Sequence, residues 1–108
     1  MERALKARDH KSLIELQRAV VSWQEQMFPK CQEWELALGV CEEAGELCQC
    51  LLKMHRGINP DKFNDAQMRD SIGDVVIYLM GLCAARGWQL DEVIGETVDV
   101  VLGRNWQK

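Results

Sequence analysis

Proline is scarce in this 108-residue chain: there are two, Pro29 and Pro60, and both fall between stretches with helical patterning. Long segments are therefore free of helix breakers. Histidine occurs only as His10 and His55. Neither has a Glu three residues before it, so the paired ExxH motifs of a di-iron carboxylate bundle are absent. No apolar run approaches the roughly 20 residues of a membrane span. The opening MERALKARDHKS is polar and charged, so the expectation is of neither a signal peptide nor an anchor. Positive charge is not in excess: 13 Lys and Arg stand against 17 Asp and Glu, a net charge of -4. That balance argues against a nucleic-acid groove and against a basic membrane patch. An acidic chain of this kind binds phosphates only with a cation to bridge them. Cysteine is present in an odd number, five, with no CxxC pair. Cys48 and Cys50 would point about 200° apart on a helix, which is wrong for a shared zinc ion. Small buried thiols in a reducing cytoplasm are the expected reading.

What remains is an ordinary globular composition, 47% hydrophobic and 28% charged, in a chain long enough for one domain spanning residues 1–108. A domain this small buries a modest core alone, so association with other copies would help it. No β-type alternation persists, and the valines of GDVVIYL sit inside a long helical pattern. The periodicity predicts an all-α, four-helix bundle-like fold. The first helix runs from about Ser12 to Met27, with Leu13, Leu16, Val20 and Trp23 at helical spacing. It stops at Phe28-Pro29. The second runs from about Gln32 to His55, before Arg56-Gly57. After the loop GINPDKFND, the third runs from about Ala66 to Ala85 and ends at Arg86-Gly87. The fourth begins near Leu90-Asp91 and ends near Leu102-Gly103. Short connections favour antiparallel neighbours. Residues 1–10 are expected to form a frayed arm.

The stretch GVCEEAGELCQCLLKM breaks the hydrophobic pattern. At about 100° per residue, Leu36, Val40, Leu47, Cys50 and Met54 all fall within about 60° of Glu43. Glu43 therefore stands inside the stripe that should be buried. Glu46 lies on its edge, and Glu42 lies beyond Glu46. Glu43 and Glu46 are neighbours on the helix surface, and burial sharpens their repulsion. The third helix repeats the anomaly. Ile72, Val75, Val76, Ile77, Leu79, Met80, Leu82 and Cys83 coat almost its whole circumference, which predicts a buried helix. Yet Asp70 and Asp74 share one face of it. If the second and third helices pack antiparallel, both pairs of acids can converge on a cation. All-oxygen ligation suits Mg²⁺ or Mn²⁺ better than zinc. The bland alternatives are solvated acids, which hold best for Glu42, and buried ion pairs with Lys53, Arg56 or Arg69. An ion pair would account for one carboxylate but not for four.

EEAGEL on one helix, followed by GDVVIYL on the next, resembles the MazG-like all-α nucleotide pyrophosphohydrolases, a family that includes dimeric dUTPases and dCTP pyrophosphatases. Its pattern is EExxE, then ExxD one helix later. The upstream series Gln17, Trp23, Phe28-Pro29 and Trp34 is also similar. So is an acidic fourth helix closing in Arg104-Asn105-Trp106. The likeness spans roughly Leu16 to Trp106. By position, Glu43 and Glu46 match the metal ligands of the first motif, and Asp74 matches the Asp of ExxD. Ser71 departs from the pattern by standing where the Glu belongs. Either Asp70, one residue earlier, supplies the missing carboxylate, or a ligand reaches the metal through water. Glu42 matches the first acid of EExxE, either as a group behind the ligands or as a base.

The resemblance implies Mg²⁺-dependent hydrolysis of a nucleoside triphosphate between the α and β phosphorus, giving the monophosphate and pyrophosphate. In that scheme Glu43, Glu46 and Asp74 hold the ion, and Glu42 or Glu46 takes a proton from the attacking water. Lys53, Arg56 and Arg104 are candidates to grip phosphate, although a solvated surface cation is at least an equal reading for each. Asp99 falls where the family often places a polar site group. Trp23, Trp34, Trp88 and Trp106 are candidate stacking surfaces, with a core or interface role the leading reading for any one of them. His10 falls in the arm, and His55 suits a helix-end cap. The resemblance further implies a homodimer or homotetramer, and the charge balance and thiols noted above point to a cytoplasmic protein that binds neither nucleic acid nor membrane. The rival reading is a catalytically inactive helical interaction or regulatory module, to which the loss at Ser71 lends support.

Overall fold

The computed structural model describes residues 11–104, and every described secondary-structure element is an α-helix. They are α1 (Leu13–Met27), α2 (Glu33–His55), α3 (Asp65–Ala85) and α4 (Leu90–Leu102). Among the described residues, no helix is long and apolar enough to cross a membrane. His10 and Trp106, with the expected N-terminal arm, lie outside the described residues.

Local sequence sets the helix ends. Ser12 starts α1 with a reciprocal capping box: its Oγ accepts from Glu15 N at 3.2 Å, and its own N donates to Glu15 Oε1 at 3.1 Å. Asn64 starts α3, its Oδ1 accepting from Gln67 N at 3.1 Å. The same side chain ties down the preceding loop, donating to Pro60 O and Asp61 O at 3.0 and 3.1 Å. α2 and α3 both stop in Schellman turns. Gly57 and Gly87 take the left-handed conformation at φ 66° and 75°. The next amides reach back, Ile58 N to Lys53 O at 3.0 Å and Trp88 N to Cys83 O at 2.9 Å.

α3 is the hub. α2 lies along one side of it, while α1 and α4 pack on it and on each other. α2 touches neither α1 nor α4. The expectation of a four-helix bundle is therefore corrected: the helices are right, but among the described residues they do not close around one axis. The expectation of a buried α3 is corrected with it. Only Ser71, Met80, Gly81 and Cys83 are fully buried on α3, and Ile72 is exposed. The reason is the same in both cases. With α2 packed on α3 alone, part of the circumference of α3 has no neighbour.

The core is small. Met80, Cys83 and Leu90 are buried together, with Leu13, Val20, Val76, Leu79 and Val93 packed around them. The buried residue of α1 is Gln17, whereas Leu16 and Trp23 are exposed despite their helical spacing. Gln17 is fully used: its Nε2 donates to Met80 O at 3.2 Å and Trp88 O at 3.1 Å, and its Oε1 accepts from Leu90 N at 2.9 Å. One amide thus fastens α1 to the end of α3 and satisfies an otherwise orphaned N–H at the start of α4. At the other face, Arg86 makes a two-point ion pair with Glu33, Nε to Oε2 at 2.6 Å and Nη2 to Oε1 at 2.7 Å. It joins the beginning of α2 to the end of α3, as antiparallel packing requires.

Candidate metal and nucleotide site

Antiparallel packing of α2 on α3 brings the interrupting carboxylates of the two helices to one place. Glu43 lies in the α2–α3 contact, and its Oε2 is sealed from solvent with no hydrogen-bond partner. Burial is the main cause that pushes the Glu43 carboxyl above its ordinary pKa, followed by the negative charges of Glu46 and Asp74. Asp74 is raised in the same way, first by burial, then by Asp70 and Glu46. On its own helix each of the two has an acidic neighbour, Glu46 for Glu43 and Asp70 for Asp74, that pushes its pKa further up. Both shifts mean that the protein, left to itself, disfavours the charged forms here.

Glu43 and Asp74 are half-buried, whereas Glu42, Glu46 and Asp70 are exposed. Ser71 is wholly buried, and its Oγ accepts from Gln67 Nε2 at 3.5 Å. Among the described residues no three acidic, histidine or cysteine side chains already surround one point at ligating positions. The four carboxylates are neighbours rather than a finished cage. The donor set nevertheless fits a hard divalent cation: several carboxylate oxygens, one of them buried with nothing to bind, and mutual repulsion that a positive charge would relieve.

Beside the carboxylates opens a cavity of about 700 Å³, with Glu43 and Asp74 in its wall. Trp23, Gln24, Phe28, Cys31 and Tyr78 line it as well. Trp23 and Phe28 meet edge to face, with ring centroids 5.7 Å apart and planes at 79°. The Tyr78 hydroxyl is raised above its ordinary pKa by burial, then by Glu43, Glu42 and Asp74. Among the described residues, no Lys or Arg lines the cavity. Lys53 is half-buried farther along α2, Arg56 caps its end, and Asp99 and Arg104 are exposed near the end of α4. None of these four belongs to the cavity wall.

Of the tryptophans proposed from sequence, Trp23 alone lines this cavity among the described residues; Trp34 and Trp88 are exposed elsewhere. His55 lies in the last turn of α2. Cys48 is exposed and Cys50 buried, and both are free thiols; the expectation of buried thiols holds for Cys50 and Cys83 and is corrected for Cys31, Cys41 and Cys48, which are exposed. Sequence reasoning missed Gln24 and Tyr78. Tyr78 had a readable signal: it follows Asp74 by about one helical turn, on the same face, inside an otherwise aliphatic run.

The fold and site thus define an all-helical domain with a carboxylate cluster between two antiparallel helices and an aromatic-walled cavity beside it. Set against models of known protein families, against characterised proteins and against solved structures, the chain matches none.

Proposed function

We propose that this protein is a Mg²⁺-dependent nucleoside triphosphate pyrophosphohydrolase, splitting a ribo- or deoxyribonucleoside triphosphate into the monophosphate and pyrophosphate. The observation that carries the reading is the buried, partnerless Oε2 of Glu43, set against Asp74 and flanked by Glu46 and Asp70. The sequence resemblance supplies the reaction; this geometry supports it.

Glu43, Glu46 and Asp74 are the residues to hold the ion, with Mn²⁺ as a substitute for Mg²⁺. Asp70, the acid nearest Asp74 on α3, takes the part of the carboxylate missing at Ser71. Bound there, the ion neutralises phosphate oxygens and the charge that develops on the leaving pyrophosphate. The protein's own residues do the rest. Glu42, exposed and next to Glu43 in the chain, is the residue to accept a proton from the attacking water, with Glu46 as the other candidate base. Trp23, Phe28 and Tyr78 offer rings against which a base can lie, and the Gln24 amide offers both a donor and an acceptor for its edge. Among the described residues the cavity wall holds acids and no Lys or Arg, so a metal ion would have to offset the charge of a polyphosphate there. Lys53, Arg56 and Arg104, outside the wall, are left as contacts for an extended phosphate tail, and Asp99 as a polar group at its periphery.

The test is a panel of ribo- and deoxyribonucleoside triphosphates with Mg²⁺, scored for pyrophosphate against orthophosphate. Pyrophosphate from at least one nucleotide is expected. Orthophosphate would place the cleavage at another bond and the protein in another class. A second reading, an inactive helical interaction module, is favoured by Ser71, which is too deeply buried to replace the missing ligand. It predicts no metal-dependent product from any triphosphate.

A further inference from the structure

α4 joins the core only at its start. Leu90 is buried with Met80 and Cys83, and Val93 packs on the same cluster. Beyond that turn Ile94, Val98 and Val101 stand 44%, 43% and 42% exposed, and Leu102 78%. At about 100° per residue these four side chains fall in one sector about 100° wide, the apolar stripe of a helix that has a neighbour. Among the described residues α4 packs only on α1 and α3, and the stripe is left open. Asp91 falls in the same sector, Asp99 and Glu92 follow beyond its edge, and Glu96 lies behind it. α4 carries no Lys or Arg. A cover for this face is therefore apolar on one side and basic along its margin.

The segment ahead of α1 has that chemistry. Residues 1–11, MERALKARDHK, set Arg3, Lys6, Arg8 and Lys11 against Glu2 and Asp9, a net charge of +2, whereas the four acids of α4 give it -4. Met1, Ala4 and Leu5 recur three and four apart. The attachment point is favourable. Leu13 and Val93 pack on one core cluster, so the segment leaves the fold beside the first turn of α4. Ten residues span up to about 33 Å when extended, and α4 rises only about 14 Å from Val93 to Leu102. The whole stripe is within reach, and a short tether holds its segment at an effective concentration in the mM range. The other exposed apolar faces suit it less. α1 mixes Arg18 with Glu15 and Glu25, and α2 touches neither α1 nor α4.

We infer that residues 1–10 dock on α4 of their own chain, with Leu5 against the stripe of Ile94, Val98 and Val101 and Lys6 towards the acids at its edge. The inference does not depend on the catalytic reading. It is tested on the full chain by coupling with a carbodiimide. This reagent joins a lysine amine to a carboxylate as an amide and takes up the water released, becoming a urea. Denaturing electrophoresis then separates chains linked internally from chains linked to one another. Peptide mapping of the single-chain band should find Lys6 joined to Asp91, Glu92 or Asp99. Leu5→Gln and, separately, Val98→Gln keep both reacting groups. Val98 is exposed, so its variant should retain full helical dichroism, and each variant should lose the link. Three results would overturn the inference: Lys6 joined to no acid of α4, a link to α4 found only between two chains, or a link that survives undiminished in both variants. Lys6 joined instead to Glu25 would place the segment on α1, and joined to Glu35 or Glu42 on α2.

Discussion

The ring of Tyr78 on α3 lies directly on the backbone of Gly39 on α2, so close that a Cβ at Gly39 would clash with the ring carbons. This contact holds Tyr78 beside Glu43 and Asp74, at the edge of the aromatic-walled cavity. Only glycine leaves room for it.

Replacing Gly39 by Ala should therefore displace Tyr78. Overpacking costs about 1–3 kcal/mol, and better helix propensity returns about 1 kcal/mol. The net effect expected in urea denaturation is a stability between unchanged and about 2 kcal/mol lower. Gly73→Ala is the control. Nothing lies within 4 Å of a Cβ there, so it should gain about 0.5–1 kcal/mol from propensity alone. Equal gains for the two variants would contradict the close packing of Tyr78 on Gly39.

Gln17 should be the most sensitive polar position of α1. Truncation to Ala strands Leu90 N and takes a donor from Trp88 O and Met80 O, the last of which keeps its own helical bond. Each unsatisfied buried group costs about 1–3 kcal/mol. Partial access of water to Trp88 lowers the sum, and a loss of about 2–4 kcal/mol by chemical denaturation is expected on that scale. Gln17→Ala within about 0.5 kcal/mol of the parent, the range of ordinary surface substitutions, would mean that the clamp does not hold α4.

In the absence of divalent metal, stability should fall as pH rises through the titration of Glu43 and Asp74. Their folded pKa values lie above the ordinary 4.5 and 3.8, so between ordinary and raised values the folded state binds more protons than the unfolded. The contribution is fully present below the ordinary values and is lost as pH passes through the raised ones. Thermal melts in a chelator across mildly acid to neutral pH should show this decline. Glu43→Gln should flatten it and raise the melting temperature at neutral pH. A parent whose stability climbs steadily across that window would show that the acids are not held in mutual repulsion.

Much of the fold could be read from local signals because those signals act locally. Ser12 and Asn64 cap helices through their own side chains, and Gly57 and Gly87 end helices through their own φ angles. The placement of Glu43 and Asp74 was legible for a similar reason: a charge inside an apolar stripe marks the buried face whatever packs on it. Gln17 was not legible as core, because its burial depends on three backbone groups far along the chain. The exposure of Leu16, Trp23 and Ile72 was likewise invisible. Helical spacing shows that a face is apolar, but not whether this chain or another molecule covers it. The notch at Gly39 exists only once α2 meets α3, so the sequence marks the face that carries Tyr78 but not the glycine on which its ring packs.

If the acids of α2 and α3 share a divalent ion, Mn²⁺ uptake followed by electron paramagnetic resonance reports it without requiring turnover. The free Mn²⁺ signal should fall when the parent protein is added. It should recover most of its strength with Glu43→Gln or Asp74→Asn at matched concentration, with the helical dichroism of both variants preserved. Uptake by Glu43→Gln equal to that of the parent would contradict the account.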